Sequence, residues 1–279
     1  MQALETLTPS ELYRKWEGQH WKVAAIDLSK DRDGWLGLNE QERWQWYWLA
    51  GFSHFRQSET DAVVFLSTIL PCLARSDQQH FLATQIADEA RHARFFERFY
   101  REVVLSALPD GEVTISPAYK RLFIELPTIV TQNLVKNRSH DNLAVAAFHV
   151  FILLEGSIAL ASFSVIRRLL MKTGRFPGLL KALTFAQRDE VRHAQFGLNL
   201  LRDLFTEQPS SRNAVRLHMR EHLPVFSAVL EPRPARKEIL QALGLNPFAR
   251  RRKAFTLLQR NLRELGLEIE VLQPSAAVA

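Results

Sequence analysis

Apolar residues recur about every three to four positions along most of this chain, which is the spacing of one face of an α-helix. Capping residues mark several starts, for example Asn39 with Glu42 and the lone Ser139, and Gly174 stands where a helix would end. We expect the third helix to bend or break around Pro127. The pattern predicts five long helices, over residues 39–73, 76–105, 117–137, 139–172 and 178–207, and two or three shorter ones between 210 and 265.

Four of these predicted helices are about 30 residues long, and at 1.5 Å rise per residue each would span about 45 Å. That length is typical of a long four-helix bundle. The sequence therefore predicts an all-α fold, a four-helix bundle core with additional helices. We predict a single domain, 1–279, with the bundle core over 40–208, accessory helices over 209–265 and a tail over 266–279.

The stretch from Leu143 to Ile166 is apolar enough to suggest a membrane span, but Glu155 lies at its centre. A central carboxylate is costly in lipid, whereas a helix that is apolar all round also suits the centre of a soluble bundle. We expect the buried helix and no membrane span. The first 21 residues hold no continuous apolar signal segment, and Cys72 is the single cysteine, so we expect a cytoplasmic protein.

The bulk composition supports a helical, globular chain. Its 279 residues are 47% hydrophobic, with only 11 Gly and 12 Pro to interrupt helices. The formal net charge is +6, and basic residues cluster at 233–237 and 250–253. No nucleic-acid-binding motif accompanies these clusters, so we interpret them as solvated helix faces and expect no nucleic-acid partner.

One five-residue motif occurs twice. Asp-Glu-x-Arg-His begins at Asp88 and again at Asp189, and each copy follows a helix with a single Glu among apolar residues, Glu59 before the first copy and Glu155 before the second. The chain is therefore interpreted as a doubled helix pair.

The repeated motif predicts a dinuclear metal site. A Glu and a His three residues apart lie on one helix face, and here that face is apolar in both copies. Two divalent cations would balance four buried carboxylates, and oxygen and imidazole ligands suit iron or manganese. One Glu from each of two helices plus Glu-x-x-His from two others is the di-iron carboxylate arrangement of helical bundles. The alternative is two unrelated buried salt-bridge sites. The predicted ligands are Glu59, Glu89, His92, Glu155, Glu190 and His193.

Two aspartates precede ligand glutamates. A metal-bound His usually donates its other ring N–H to a carboxylate, so we expect Asp189 to orient His92 and Asp88 to orient His193 across the site. The alternative is that both Asp residues only pair with neighbouring arginines. We expect Arg192 to lie off the ligand-bearing face, where its substitution would change little.

Three further histidines are set aside on helical geometry: we expect His54, His80 and His149 to be surface or hydrogen-bonded histidines. Glu125 lies among apolar residues of the third helix, and we expect an ordinary partnered Glu; the alternative is a residue that supports the metal ligands.

These residues resemble the ferritin-like superfamily and, within it, the ribonucleotide reductase small-subunit group, over residues 40–208. The short interval between His92 and Glu155, and the sequence Leu154-Glu155-Gly156 followed by small residues, are similar to the ligand-binding oxidases related to that subunit. The resemblance implies an Fe/Fe or Mn/Fe centre that activates O2, with a long-chain fatty acid held near the metals.

The chain departs from these relatives at four positions. The oxidases join a Val and a Tyr by oxidation, but the corresponding positions here hold Ala62 and Val150. Radical-forming small subunits usually carry a Tyr where this chain has Phe96, and di-iron N-oxygenases add a His where it has Ala186.

The expected function is an O2-activating dinuclear non-haem oxidase or monooxygenase acting on a small, apolar or fatty-acid-like molecule. The small residues between Gly156 and Ser162 are expected to leave room for that ligand. The alternatives are a radical-generating small subunit of a larger reductase, a ferroxidase, and a purely structural site. A homodimer and an electron donor are the expected partners. Beyond the metal centre, no catalytic residue is predicted.

Overall fold

The computed structural model describes residues 7–50, 52–104 and 115–267, and within those ranges the chain forms helices and no strand. The α-helices are α1 (Pro9–Gly18), α2 (Ser29–Leu36), α3 (Glu40–Ala50), α4 (Phe52–Ile69), α5 (Ser76–Phe99), α6 (Pro117–Lys120), α7 (Leu126–Lys136), α8 (His140–Ala147), α9 (Leu160–Thr173), α10 (Pro177–Glu207), α11 (Ser211–Leu230), α12 (Pro234–Ala242) and α13 (Ala249–Glu264). Short 3-10 turns lie at Val23–Ala25 and Leu70–Cys72, and π-helical segments at Tyr100–Val104, Arg121–Glu125 and Phe148–Ala159.

The core is the predicted helical bundle. Helix α4 packs against α5, and α10 packs against α5, α9 and the π segment Phe148–Ala159. That segment joins α8 to α9 without a break, so a single helix runs over His140–Thr173. The all-α, ferritin-like architecture is confirmed. Of the predicted tail over 266–279, residues 268–279 lie outside the described residues.

Several helix ends follow the predicted capping. The Asn39 backbone N–H donates to Glu42 Oε2 (2.9 Å), and the Glu42 N–H donates back to Asn39 Oδ1 (2.9 Å). Ser139 Oγ accepts from the Asn142 N–H, and Gly174 ends α9 with a left-handed φ of 65°.

Pro127 lies where the third predicted helix changes from a π segment to an α-helix. Proline has no N–H and its ring collides with the carbonyl four residues earlier, so the α-helical ladder cannot continue unchanged. The π segment Arg121–Glu125 directly precedes Leu126 and Pro127 and takes up this mismatch.

The helices before residue 39 were not predicted from the sequence. Helix α1 begins with a capping box in which Thr8 and Glu11 bond each other's backbone N–H. It packs against α5 and α10, the two helices that carry the repeated motif. The N-terminal segment therefore lies against the outside of the predicted site.

The helix over His140–Thr173 is long and apolar enough to cross a membrane by length and composition alone. However, 83% of its most apolar window is buried inside the fold. Phe151, Ile152 and Leu153 are fully buried. A buried core helix passes the same hydropathy test, so the observed packing fits the expected bundle centre.

One expectation about this helix is wrong. Gly156 does not open space for a ligand, because a Cβ there would lie 2.7 Å from the Phe151 carbonyl oxygen and 3.3 Å from Ala194 Cβ. A Cβ on Gly197 would overlap the Phe151 side chain. Both glycines therefore allow the π segment and α10 to pack closely.

Candidate metal centre

The structure brings all six predicted ligand residues together in the buried centre of the bundle. Helix α4 supplies Glu59, and the π segment after α8 supplies Glu155. The two copies of the motif supply the rest, from α5 and α10. The exposed fractions are 6% for Glu59, 1% for Glu89, 1% for His92, 6% for Glu155, 1% for Glu190 and 0% for His193.

The six residues form two overlapping groups of four. Glu59 and His92 belong to one group, and Glu155 and His193 to the other. Glu89 and Glu190 belong to both groups. Within each group, one donor atom from every residue lies within 4.8 Å of the other three. Two metal ions could therefore be held here, with Glu89 and Glu190 within reach of both.

Individual distances show how the sharing occurs. Glu89 Oε2 is 3.5 Å from His92 Nδ1, while its Oε1 is 3.0 Å from His193 Nδ1. Glu190 Oε1 is 3.7 Å from His92 Nδ1, and its Oε2 is 3.6 Å from His193 Nδ1. Each of these carboxylates thus has one oxygen near each histidine. Glu59 Oε2 lies 3.5 Å from His92 Nδ1, and Glu155 Oε2 lies 3.9 Å from His193 Nδ1.

Buried polar atoms without hydrogen-bond partners mark the interior of this cluster. Leaving such atoms unpaired is costly, so a buried set that converges on one space fits bound cations. These atoms are His92 Nδ1, Glu155 Oε1 and Glu190 Oε2.

The pKa values of the ligand glutamates also indicate that this cluster lacks enough positive charge when no metal is bound. Burial raises the pKa of Glu59 and Glu155 well above the usual carboxyl value, and raises that of Glu190 as well. Burial also acts on Glu89, but contacts with His193 and His92 outweigh it and hold the Glu89 pKa well below its usual value. Divalent cations would allow all four carboxylates to ionise.

The outer nitrogens of the two histidines contact aspartates across the site. His92 Nε2, on α5, is 3.3 Å from Asp189 Oδ2, on α10. Reciprocally, His193 Nε2 is 3.1 Å from Asp88 Oδ2. Burial lowers the pKa of each imidazole, but these carboxylates and the neighbouring glutamates outweigh it and raise both pKa values well above the usual range. The contacts match the predicted pairing and leave both Nδ1 atoms facing inward.

The aspartates also contact arginines, and this corrects the expectation for Arg192. Asp88 pairs with Arg91, three residues along α5. Arg192 is buried, and its Nη2 is 2.8 Å from Asp88 Oδ2 and 2.8 Å from Asp189 Oδ1. It therefore does not lie on an inert face, and its substitution is no neutral control.

Sequence reasoning missed three residues that contact this cluster. Trp16 Nε1 donates to Asp88 Oδ1 and Trp21 Nε1 donates to Asp189 Oδ2, both at 2.8 Å. Gln85 Nε2 donates to Glu155 Oε2 at 2.7 Å. Gln85 lies one turn before Glu89 on the inward face of α5, and that spacing could have identified it. The tryptophans come from the N-terminal segment, and nothing local in the sequence connects them to the motif.

The three histidines and the glutamate that were not predicted as ligands are absent from the six-residue cluster. His149 is fully buried, with Nδ1 3.0 Å from His218 Nε2 and Nε2 3.0 Å from the Leu122 carbonyl oxygen, and burial lowers its pKa to about 4. Glu125 pairs with Arg121 (3.2 Å), and His80 is exposed. The side chain of His54 lies outside the described residues.

Three of the four positions at which this chain departs from the families it resembles are buried. Phe96, Val150 and Ala186 are buried in the hydrophobic core, and Ala62 is half-buried. No hydroxyl or imidazole is present at these positions.

Comparison with known proteins agrees with this geometry. The chain matches the family described as ribonucleotide reductase, small chain, over residues 4–224. Similar solved structures include a single-substitution variant of an R2-like ligand-binding oxidase with an anaerobically reconstituted Mn/Fe cofactor, with TM-score 0.78 and 24% identity, covering 96% of this chain and 97% of that one. A second variant, with an aerobically reconstituted Mn/Fe cofactor, gives TM-score 0.83 and 24% identity, covering 93% and 94%. At this identity the likeness shows the fold.

Proposed function

This chain belongs to the ribonucleotide reductase small-chain family, and from that premise we propose that it is an O2-activating dinuclear non-haem metal oxidase or monooxygenase. The observation that carries the proposal is the pair of overlapping four-residue groups that share Glu89 and Glu190. The cofactor is two metal ions, Fe/Fe or Mn/Fe. The similar solved oxidases contain Mn/Fe, which supports the second pair.

The proposed ligands divide by position. Glu59 and His92 would hold one ion, Glu155 and His193 would hold the other, and Glu89 and Glu190, which belong to both groups, would contribute to both sites. Nδ1 is the nitrogen that each histidine has available for a metal, because each Nε2 faces an aspartate. Two divalent ions would balance the four negative charges of the glutamates in a site from which water is largely excluded.

Two metal ions held here would supply the binding and reduction of O2. The protein contributes orientation and proton control. Asp189 and Asp88 accept the Nε2–H of His92 and His193, which fixes each imidazole in the tautomer that presents a lone pair at Nδ1. Gln85 donates to Glu155 and restricts how that carboxylate can turn.

The proposed substrate is small and apolar or fatty-acid-like. Apolar side chains surround Glu155 on its own helix, where Ile152, Leu154 and Ile158 are all buried. We also propose a homodimer in the cytoplasm and a separate electron donor.

The family match gives weight to one alternative, a radical-generating small subunit. In this chain Phe96, buried beside Phe95, occupies the position where such subunits usually have Tyr. The oxidase is therefore preferred.

O2 consumption by protein loaded with two equivalents of metal tests the proposal. Consumption should rise with a long-chain fatty acid and should fall to background in Glu190→Gln, which removes a shared carboxylate. Consumption limited to Fe²⁺ oxidation would favour a ferroxidase instead. A requirement for a co-purifying large subunit would favour the reductase role.

A further inference from the structure

Arg192 lies between the two halves of the candidate centre. Its Nη2 donates to Asp88 Oδ2 at 2.8 Å and forms an ion pair with Asp189 Oδ1, also at 2.8 Å. Its side chain is 4% exposed, and those of the two aspartates are 1% and 0% exposed. Asp88 contacts His193, and Asp189 contacts His92. A single buried cation thus touches both carboxylates that orient the histidines.

The corresponding arginine of the first motif copy occupies a different position. Arg91 pairs with Asp88, three residues away on its own helix, and its guanidinium lies 5.3 Å from the centre of the Trp21 ring. Among the described ion pairs it has none with Asp189. The two arginines of the repeat are therefore not equivalent in the structure. Arg192 contacts both aspartates, whereas Arg91 contacts Asp88 alone.

A second contact holds Arg192 in this position from the other side. Its Nη1 donates to Gln19 Oε1 at 2.5 Å, and Gln19 follows directly after α1. Arg188, one turn earlier on α10, donates to the Gln19 backbone oxygen. The guanidinium is planar and presents donors in a fixed fork, so opposite sides can engage different partners.

We propose that Arg192 is a positioning residue that couples the two metal sites, by holding Asp88 and Asp189 in place so that His92 and His193 are both set to bind metal. The inference rests on the proposed dinuclear function. Without Arg192, two aspartates that are almost fully buried would lose their shared cation and repel each other. Each carboxylate would then be free to turn away from its histidine, and each histidine would lose its fixed orientation.

The proposal makes different predictions for the two arginines. Loss of an outer carboxylate contact typically lowers metal affinity by about 10–100-fold. Arg192→Gln should weaken both metal sites by that factor. Arg91→Gln should weaken only the site of His193, because Arg91 contacts Asp88 and not Asp189. Arg192→Lys keeps the charge but lacks the fork, so it should recover part of the lost affinity.

Co²⁺ titration of the metal-free protein tests this, with ligand-field absorption reporting each bound ion and a competing chelator giving the affinities. Far-UV circular dichroism and the thermal midpoint of the metal-free variants show whether they fold. A purely structural role would lower the midpoint without changing the cobalt spectrum of the folded fraction. Arg202→Gln is the control, since Arg202 lies on the same helix and pairs with Glu264 away from the site; it should bind as the wild type does.

The expected result is two Co²⁺ ions in the wild type and weaker binding of both in Arg192→Gln. Wild-type affinity in Arg192→Gln, or loss at only one site as in Arg91→Gln, would overturn the coupling while leaving the dinuclear function intact. A wild type that binds fewer than two Co²⁺ ions would instead contradict the proposed function. If Arg192→Gln does not fold, the same Co²⁺ titration is made with Arg192→Lys. Wild-type affinity and a wild-type cobalt spectrum at both sites of Arg192→Lys would then overturn the coupling.

Discussion

His92 and Asp189 meet across the candidate centre, with His92 Nε2 3.3 Å from Asp189 Oδ2, although 97 positions separate them in the chain. The reciprocal pair, His193 and Asp88, meets at 3.1 Å. The aspartate of each motif copy therefore contacts the histidine of the other copy, on the other helix. This exchange ties α5 to α10 and fixes the direction in which both Nδ1 atoms point.

Asp189→Asn should weaken metal binding while the fold survives. The substitution hardly changes the side-chain volume, but it removes the charge that accepts the His92 N–H and allows the other tautomer. We expect metal affinity or O2 consumption to fall about 10–100-fold. Metal analysis after reconstitution, together with circular dichroism, measures both effects.

Asp203→Asn is the matched control for that variant. Asp203 lies on the same helix, but its side chain is 38% exposed and pairs with Arg75. An exposed pair of this kind contributes about 0–1 kcal/mol. Equal metal loss in both variants, or none in either, would mean that Asp189 is an ordinary ion-paired residue.

Glu59→Gln and Glu89→Gln should separate the two metal positions. Glu59 belongs to one four-residue group, whereas Glu89 belongs to both. We expect Glu59→Gln to lower the occupancy of one ion, and Glu89→Gln to lower that of both. Metal equivalents per chain under limiting chelator give the answer. Identical losses in the two variants would contradict the assignment of Glu89 as a bridging ligand.

The protein should form no stable tyrosyl radical beside the metals. Phe96 is buried four residues after His92, at the position where radical-forming small subunits usually carry Tyr. Electron paramagnetic resonance after reduced, metal-loaded protein is exposed to O2 should show no long-lived tyrosyl signal. Such a signal would favour the reductase role over the oxidase.

Metal should stabilise the protein more at pH 8 than at pH 6. Without metal, the raised pKa values of Glu59, Glu155 and His92 mean that their contribution to stability is present at low pH and lost as pH rises through those values. Metal ligands must be deprotonated, so binding strengthens over the same range. At free metal 100 times the Kd, the stabilisation is about 2.7 kcal/mol.

Thermal midpoints with and without Mn²⁺ at the two pH values measure this stabilisation. Asp203→Asn serves again as the control and should follow the wild type. A gain in midpoint that is equal at both pH values, or larger at pH 6, would contradict the proposed ionisation of the ligands.

The bundle and the six-residue cluster could be predicted from the sequence because both depend on helical periodicity. Glu89 and His92 lie on one face by their spacing, and Asn39 and Ser139 cap their helices by local hydrogen bonds. The cross-site pairing of Asp189 with His92 also followed from the doubled motif. Whether the six residues bind metal stays a prediction.

The remaining features depend on tertiary packing. Arg192 looked peripheral on a helical wheel, yet α5 places Asp88 within 2.8 Å of it. Trp16 and Trp21 reach the aspartates because α1 folds back over α5 and α10. Gly156 looked like open space beside Glu155, but the Phe151 carbonyl oxygen, Asn261 of α13 and Ala194 of α10 fill that space. None of these contacts has a signature in local sequence.

Anomalous diffraction from crystals of metal-loaded protein, measured at the iron and manganese absorption edges, tests the dinuclear centre most directly. The structure leads us to expect two anomalous peaks in the bundle centre. One should lie beside His92 Nδ1 and Glu59, and the other beside His193 Nδ1 and Glu155, with Glu89 and Glu190 contacting both. A single peak, or peaks away from these six side chains, would contradict the proposed centre.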